Sequence, residues 1–149
     1  MVAKLSENTL TLGKGVRSGA EYLAGLNDDR DVWLEGKKVS NVAVHPGLRR
    51  GAETLAGFMD KQSEQKYKKI VTFEEDNRDI AMSYLIPKSK EDVVKRGAAF
   101  YEWATWSNGI FGRTPDYKNA SIMAFTAAAK FLEEGKIEFA ENMRRYYHY

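Results

Sequence analysis

Two side chains in the stretch 108-NGIFGRTPDYKNA-120, Arg113 and Tyr117, are of types that do chemistry and stand close enough to act together. Gly112 and Pro115 already supply the permissive and the fixed backbone that a turn requires, so the arginine is surplus to the turn. Thr114 is placed to cap a helix and Pro115 suits its first position, which sets Arg113 just ahead of that helix and Tyr117 in its first turn. A guanidinium fork, a phenolic hydroxyl and the positive end of a helix then converge, a corner suited to an anion or a polarised oxygen. The helix end alone contributes ~0.3–1 kcal/mol toward a nearby negative charge. Desolvation by Trp103, Trp106 and Phe111 would strengthen the arginine's part, and these rings could line a flat pocket. The residues leave a second reading open. In it Arg113 pairs with Asp116 or another carboxylate, Tyr117 packs its ring and bonds a backbone group, and the aromatics at helical spacing are core.

Other chemistries are excluded by what the chain lacks. With no cysteine there is no disulfide, thiolate zinc site, iron–sulfur ligation or cysteine nucleophile. The only imidazoles are His45 and His148, far apart in sequence, and His45 directly precedes Pro46 at a helix start, where a structural or solvent-facing role is expected. No metal site is expected from this chain alone. No Ser/His/Asp set stands out, and GKG at 13–15 lacks the length and strand–helix setting of a phosphate loop. The 23 basic and 21 acidic residues give a net charge of only +2. They are scattered in pairs such as Arg49–Arg50 and Arg144–Arg145 rather than gathered on a face, which argues against nucleic acid as partner. No apolar stretch approaches the ~20 residues of a membrane span. The first sixteen residues lack the pattern of a signal peptide, so a cytoplasmic location is expected.

The elements that must hold Arg113 and Tyr117 are mainly helical. A chain of 149 residues, 43% of them hydrophobic, is long and apolar enough for one domain with a real core. Residues 1–16 show no sustained period and read as a flexible arm. Ser18 and Glu21 have capping-box spacing for a short helix through AEYLAGL. The run 32-VWLEGKKV-39 alternates around Glu35–Gly36, a tight hairpin. A helix over about 47–61, with Pro46 at its first position, puts Leu48, Ala52, Leu55 and Met59 on one stripe. The runs 70-IVTF-73 and 80-IAMSYLI-86 are expected to pair as a second hairpin. Ser89 and Asp92 signal the start of a helix over 90–108, Pro115 opens one running to about Leu132, and a last helix starts near Ile137. Two of these helices carry apolar groups on nearly every face, 98-AAFYEWATW-106 and 120-ASIMAFTAAAKFL-132. Such helices ask to be buried all round, and the chain runs out at 144-RRYYHY-149 still in helical pattern. Both features read as a piece of something larger, or else as an obligate oligomer.

The segments 18-SGAEYLAGLNDDRDVWLEGKKV-39, 45-HPGLRR-50, 82-MSYLIPKSKEDVVKRGAAFYEWA-104, 112-GRTPDY-117 and 139-FAENMRRYYHY-149 resemble, in order, the amino-terminal region of the 4-hydroxyphenylacetate 3-monooxygenase family, large oxygenase component. They are also similar to chlorophenol monooxygenases of the same group. GRTPDY and the YLIPKSKED block are the specific parts of the likeness.

The resemblance implies a two-component phenol ortho-hydroxylase, in which a separate flavin reductase supplies reduced FAD and the oxygenase uses it with O2. It implies the amino-terminal helical domain of an acyl-CoA dehydrogenase-like fold over residues 17–149. The middle β-domain and carboxy-terminal bundle of that fold are absent here, and the complete protein would be a homo-tetramer. It implies that Arg113 and Tyr117 contact the phenolic oxygen of the substrate, as catalytic and substrate-binding residues. A cation there raises electron density at the ring's ortho carbon by drawing the phenol toward phenolate. Family chains run several-fold longer, so the flavin-binding residues and a substrate-contacting histidine are expected beyond Tyr149, and neither His45 nor His148 matches that histidine. The segment alone is expected to be inactive. Two alternatives remain: a non-catalytic helical interaction module, and a relative of 4-hydroxybutyryl-CoA dehydratase, whose iron–sulfur cluster the absence of cysteine disfavours.

Overall fold

The computed structural model describes residues 13–109 and 115–148. Capping chemistry sets two of its helices as the spacing requires. At α1 (Gly19–Ala24) the Glu21 amide donates to Ser18 Oγ at 3.2 Å, and the Ser18 amide donates back to the Glu21 carboxylate at 2.9 Å. At α4 (Lys90–Trp106) Ser89 and Asp92 exchange the same pair of bonds, each 3.1 Å. Both are capping boxes, which satisfy amides that have no partner inside the helix.

The first hairpin forms where the alternation places it, β1 (Val32–Leu34) against β2 (Lys37–Val39). Glu35 and Gly36 both have positive φ, 51° and 74°, the backbone of a two-residue turn whose twist matches the strands. The second hairpin is shorter than expected. Ile70 and Val71 end a helix, α3 (Gln65–Val71), and β3 (Thr72–Glu75) begins only afterwards, pairing with β4 (Arg78–Ala81). Their β-branched types suggested a strand, but Val71 is fully buried against Met82 and Ala99, with Ile70 packed at the edge of that cluster. Tertiary burial overrides propensity there. Residues expected to extend the second strand instead coil into a 3-10 turn, Met82–Tyr84.

Other bounds shift for local reasons. The helix expected from residue 47 is α2 (Arg49–Ser63), because the amides of Leu48 and Arg49 both bond the His45 carbonyl in a preceding turn that contains Pro46. The stripe expected on it does face inward, with Ala52 buried, joined by Ala56, Phe58 and Gln62. The helix expected to reach Leu132 breaks at Ala128 into α5 (Pro115–Ala127) and α6 (Ala129–Leu132). A closing helix, α7 (Ile137–His148), lies against both α5 and α6.

The core is aromatic around α2, α3 and α4. Trp103 meets Phe58 edge-on with ring centroids 5.8 Å apart and Trp106 at 5.0 Å, while Trp106 also meets Tyr67 at 4.9 Å. Of the expected arm, residues 13–16 are bound into the body. The Val16 amide donates to the Asp79 carbonyl at 2.8 Å, the Gly13 amide to that of His148 at 2.9 Å, and Arg78 Nη1 donates to the Gly13 carbonyl at 2.6 Å. Gly15 makes this approach possible: its φ is 94°, and a Cβ there would lie 2.5 Å from the Asp79 oxygen. Elsewhere apolar side chains remain outside. Tyr101 and Phe131 are each 70% exposed, and Phe125, Ile137 and Phe139 are more than half exposed.

Candidate functional site

Of the residues singled out by type, Arg113, Thr114 and Phe111 lie outside the described residues. Tyr117 is in the first turn of α5 and 58% exposed. Its carbonyl accepts a hydrogen bond from Ser121 Oγ at 2.8 Å. Trp103 and Trp106 belong to the core cluster with Phe58 and Tyr67, and neither lines the cavity described below. The structure therefore places one member of the pair, on the outer side of its helix.

What holds that helix is a polar network that spacing rules did not single out. Arg96, buried on α4, sends Nη1 to the carbonyls of Ser83 and Leu85, each at 2.8 Å, and of Met82 at 3.2 Å. Its guanidinium also lies 5.1 Å from the centre of the Phe100 ring. Burial pulls its pKa down, yet a guanidinium stays charged in proteins, so carbonyl dipoles meet the charge. The 3-10 turn so anchored grips α5. Tyr84 donates its hydroxyl to Asn119 Oδ1 at 2.8 Å, and Asn119 Nδ2 donates to Ser83 Oγ at 3.0 Å. From α7, Tyr147 donates to the Tyr84 carbonyl at 2.9 Å. Burial pushes the pKa of both Tyr84 and Tyr147 up, which keeps their hydroxyls protonated as donors. The only sequence signal for this set was polar residues standing inside apolar runs.

Beside the network is a cavity of about 820 Å³, bounded by residues 15–17, α2, the β3–β4 hairpin, the 3-10 turn, α5 and α7. Arg17, Arg78, Tyr84, Asn119, Ile122 and Met143 are among its lining, and Tyr117 is not. Apolar walls with two cationic groups, hydroxyls and the carboxylate of Glu75 suit a flat apolar group with a polar end. The residues of GKG do not form a phosphate loop. The GKG segment runs along β4 with Gly13 bonded to His148 and Gly15 against Asp79, and leads into no helix N-terminus of useful length. Among the described residues no group of three or more His, Asp or Glu side chains could hold a metal. No described helix is long and apolar enough to cross a membrane.

The family model described as 4-hydroxyphenylacetate 3-hydroxylase N terminal matches residues 18–149. The chain is 42% identical over 134 residues to the 4-hydroxyphenylacetate 3-monooxygenase oxygenase component of Thermus thermophilus, covering 89% of this chain and 27% of the relative. A protein of the same description from Geobacillus sp. is 34% identical, with the same coverage. In Streptomyces globisporus a monooxygenase acting on a carrier-protein-bound 3-amino-3-(3-chloro-4-hydroxyphenyl)propanoyl group is 36% identical over 132 residues, covering 87% of this chain and 24% of that one. The crystal structure of a 4-hydroxyphenylacetate 3-monooxygenase oxygenase component complexed with FAD and 4-hydroxyphenylacetate superposes with a TM-score of 0.82 at 42% identity. That match covers 88% of this chain and 27% of the solved one. The chain thus spans about a quarter of the length of the curated relatives it matches. Its fold class is the one expected, mainly α with two short antiparallel hairpins, on the acyl-CoA dehydrogenase-like plan. With sequence and architecture in agreement over nearly its whole length, the chain belongs to the 4-hydroxyphenylacetate 3-hydroxylase family and corresponds to that family's amino-terminal region.

Proposed function

We propose that this chain is the amino-terminal helical domain of a flavin-dependent monooxygenase that hydroxylates a phenol ortho to its hydroxyl group. The carrying observation is the 42% identity, at a TM-score of 0.82, to a solved oxygenase component named for 4-hydroxyphenylacetate and complexed with it and with FAD. On this reading residues 17–149 form the domain, preceded by an arm. FAD and O2 are the co-reactants, a separate reductase supplies the reduced flavin, and the complete protein is a cytoplasmic homo-tetramer.

Arg113 and Tyr117 are the residues of this chain assigned to the chemistry. Each directs hydrogen at the phenolic oxygen, and the guanidinium adds a fixed positive charge. Together they favour the phenolate-like form, which places electron density on the ortho carbon where an electrophilic oxygen must attack. The exposure of Tyr117 supports this role, because a buried ring could not meet a ligand bound between this domain and another. The flavin-binding residues are assigned to parts of the longer protein outside this segment. The test is catechol formed per reduced FAD oxidised, in the longer protein that carries this chain. Peroxide release with no catechol from any simple phenol, 4-hydroxyphenylacetate included, would overturn the proposal.

A further inference from the structure

Helix α5 presents an unusual problem of placement. From Ala120 onward apolar side chains occupy nearly all its faces, and outward rings such as Phe125 are as apolar as the inward Met123. Burial is non-directional, so apolar packing alone would tolerate a rotation or slip of such a helix. Hydrogen bonds are directional and would not. Asn119 is the residue of α5 whose amide is engaged at both ends, taking a bond from Tyr84 at 2.8 Å and giving one to Ser83 at 3.0 Å. Those two residues are themselves fixed, since Arg96 ties the turn to α4 and Tyr147 ties it to α7.

We infer that Asn119 is a positioning residue for Tyr117: its clamp onto Ser83 and Tyr84 sets the rotation of the first turn of α5 and so the direction in which the Tyr117 phenol projects. Two residues of α-helix turn through about 200°, so a clamp on the inner face at Asn119 holds Tyr117 on the outer face. That matches a half-buried Asn119 and an exposed Tyr117. A slip of one residue would swing the phenol by about 100° and carry it off any fixed ligand. The catalytic consequence rests on the reading of Tyr117 proposed above, whereas the clamp itself does not.

The test has two arms. In the 149-residue chain, amide hydrogen exchange is compared between residues 119–122 and the core of α2 for Asn119→Ala, Tyr84→Phe and Asn119→Asp. Loss of the clamp should speed exchange about fivefold or more at 119–122 and leave α2 unchanged. Asn119→Asp should restore most of the protection, because a carboxylate still accepts from Tyr84 and can accept from the Ser83 hydroxyl. Unchanged exchange at 119–122, or equal acceleration throughout the domain, would overturn the inference. In the longer oxygenase, Asn119→Ala should lower catechol and raise peroxide per flavin oxidised, in the same sense as Tyr117→Phe. Combining the two should be little worse than the more damaging single change, since both act through one phenol. Normal coupling in Asn119→Ala, in a protein where Tyr117→Phe itself lowers coupling, would also overturn it. If Tyr117→Phe has no effect on coupling, the fault lies with the catalytic assignment, and the exchange arm decides the inference by itself.

Discussion

Arginine and lysine carry the same charge, but only the guanidinium offers a planar fork. If Arg113 grips a phenolic oxygen, Arg113→Lys should weaken coupling and Arg113→Ala should weaken it more. The alanine loss should be roughly ten- to hundredfold, the worth of a charge-assisted hydrogen bond made in the transition state. Tyr117→Phe keeps the ring and should lose less. Product and peroxide per flavin oxidised, measured beside thermal unfolding, are the readouts. A destabilised Arg113→Ala protein with normal coupling would make this arginine a structural residue. Arg96 should show itself first in stability. Arg96→Met leaves the Ser83 and Leu85 carbonyls without their guanidinium donor and should cost about 3 kcal/mol in urea unfolding. The difference in legibility between these two arginines is physical. Arg113 was conspicuous because a turn had no use for it. Arg96, Tyr84 and Asn119 meet partners 11 to 63 residues away, and no spacing rule reaches across such gaps.

At the scale of elements, what could be read in advance was local. Both capping boxes and the Glu35–Gly36 turn are decided within four residues, and all three form as expected. Missed features depend on distant contacts: Ile70 and Val71 stay helical because Met82 and Ala99 receive them, and nothing nearby in sequence announces it. The caps carry a pH signature. Backbone and side-chain bonds from Ser18 hold the Glu21 carboxyl below its ordinary value, and bonds led by the Lys88 amide do the same for Asp92. Carboxylates with lowered folded values stabilise the fold above their unfolded values and lose that contribution as pH falls through the folded ones. Helical circular dichroism at intermediate urea should therefore decline below about pH 4, and Asp92→Ala should flatten that decline. Ser89→Ala, which removes the cap and one of the bonds that hold the Asp92 carboxyl down, should cost about 1 kcal/mol near neutral pH and less below about pH 4. Tyr84 has the contrary sign. Its raised value means that the fold binds the phenolic proton more tightly than the unfolded chain does. Stability should fall as pH rises beyond about 10, and less so in Tyr84→Phe.

For the whole molecule, the apolar side chains left outside make the clearest demand. Tyr101, Phe125 and Phe131 are exposed, as the all-round apolar character of two helices had suggested, and Ile137 and Phe139 on α7 add to them. The 149-residue chain by itself should self-associate in sedimentation experiments at rising concentration and should bind a hydrophobic dye. A clean monomer that binds none would contradict this. Supplied with reduced FAD and O2, the same chain should form peroxide and no catechol above the free-flavin background, because a segment spanning about a quarter of its relatives' length leaves a flavin intermediate little shelter from water. The bond between Gly13 and His148 has a mechanical consequence. It brings the first and last described residues together, so the polypeptide enters and leaves this body at one place. Tension applied through both ends would pull on that contact crosswise, as on the teeth of a zipper, instead of sliding helices past one another. In a single-molecule stretching experiment, residues 13–16 should peel from β4 and the end of α7 at low force, well before the aromatic core between α2 and α4 gives way.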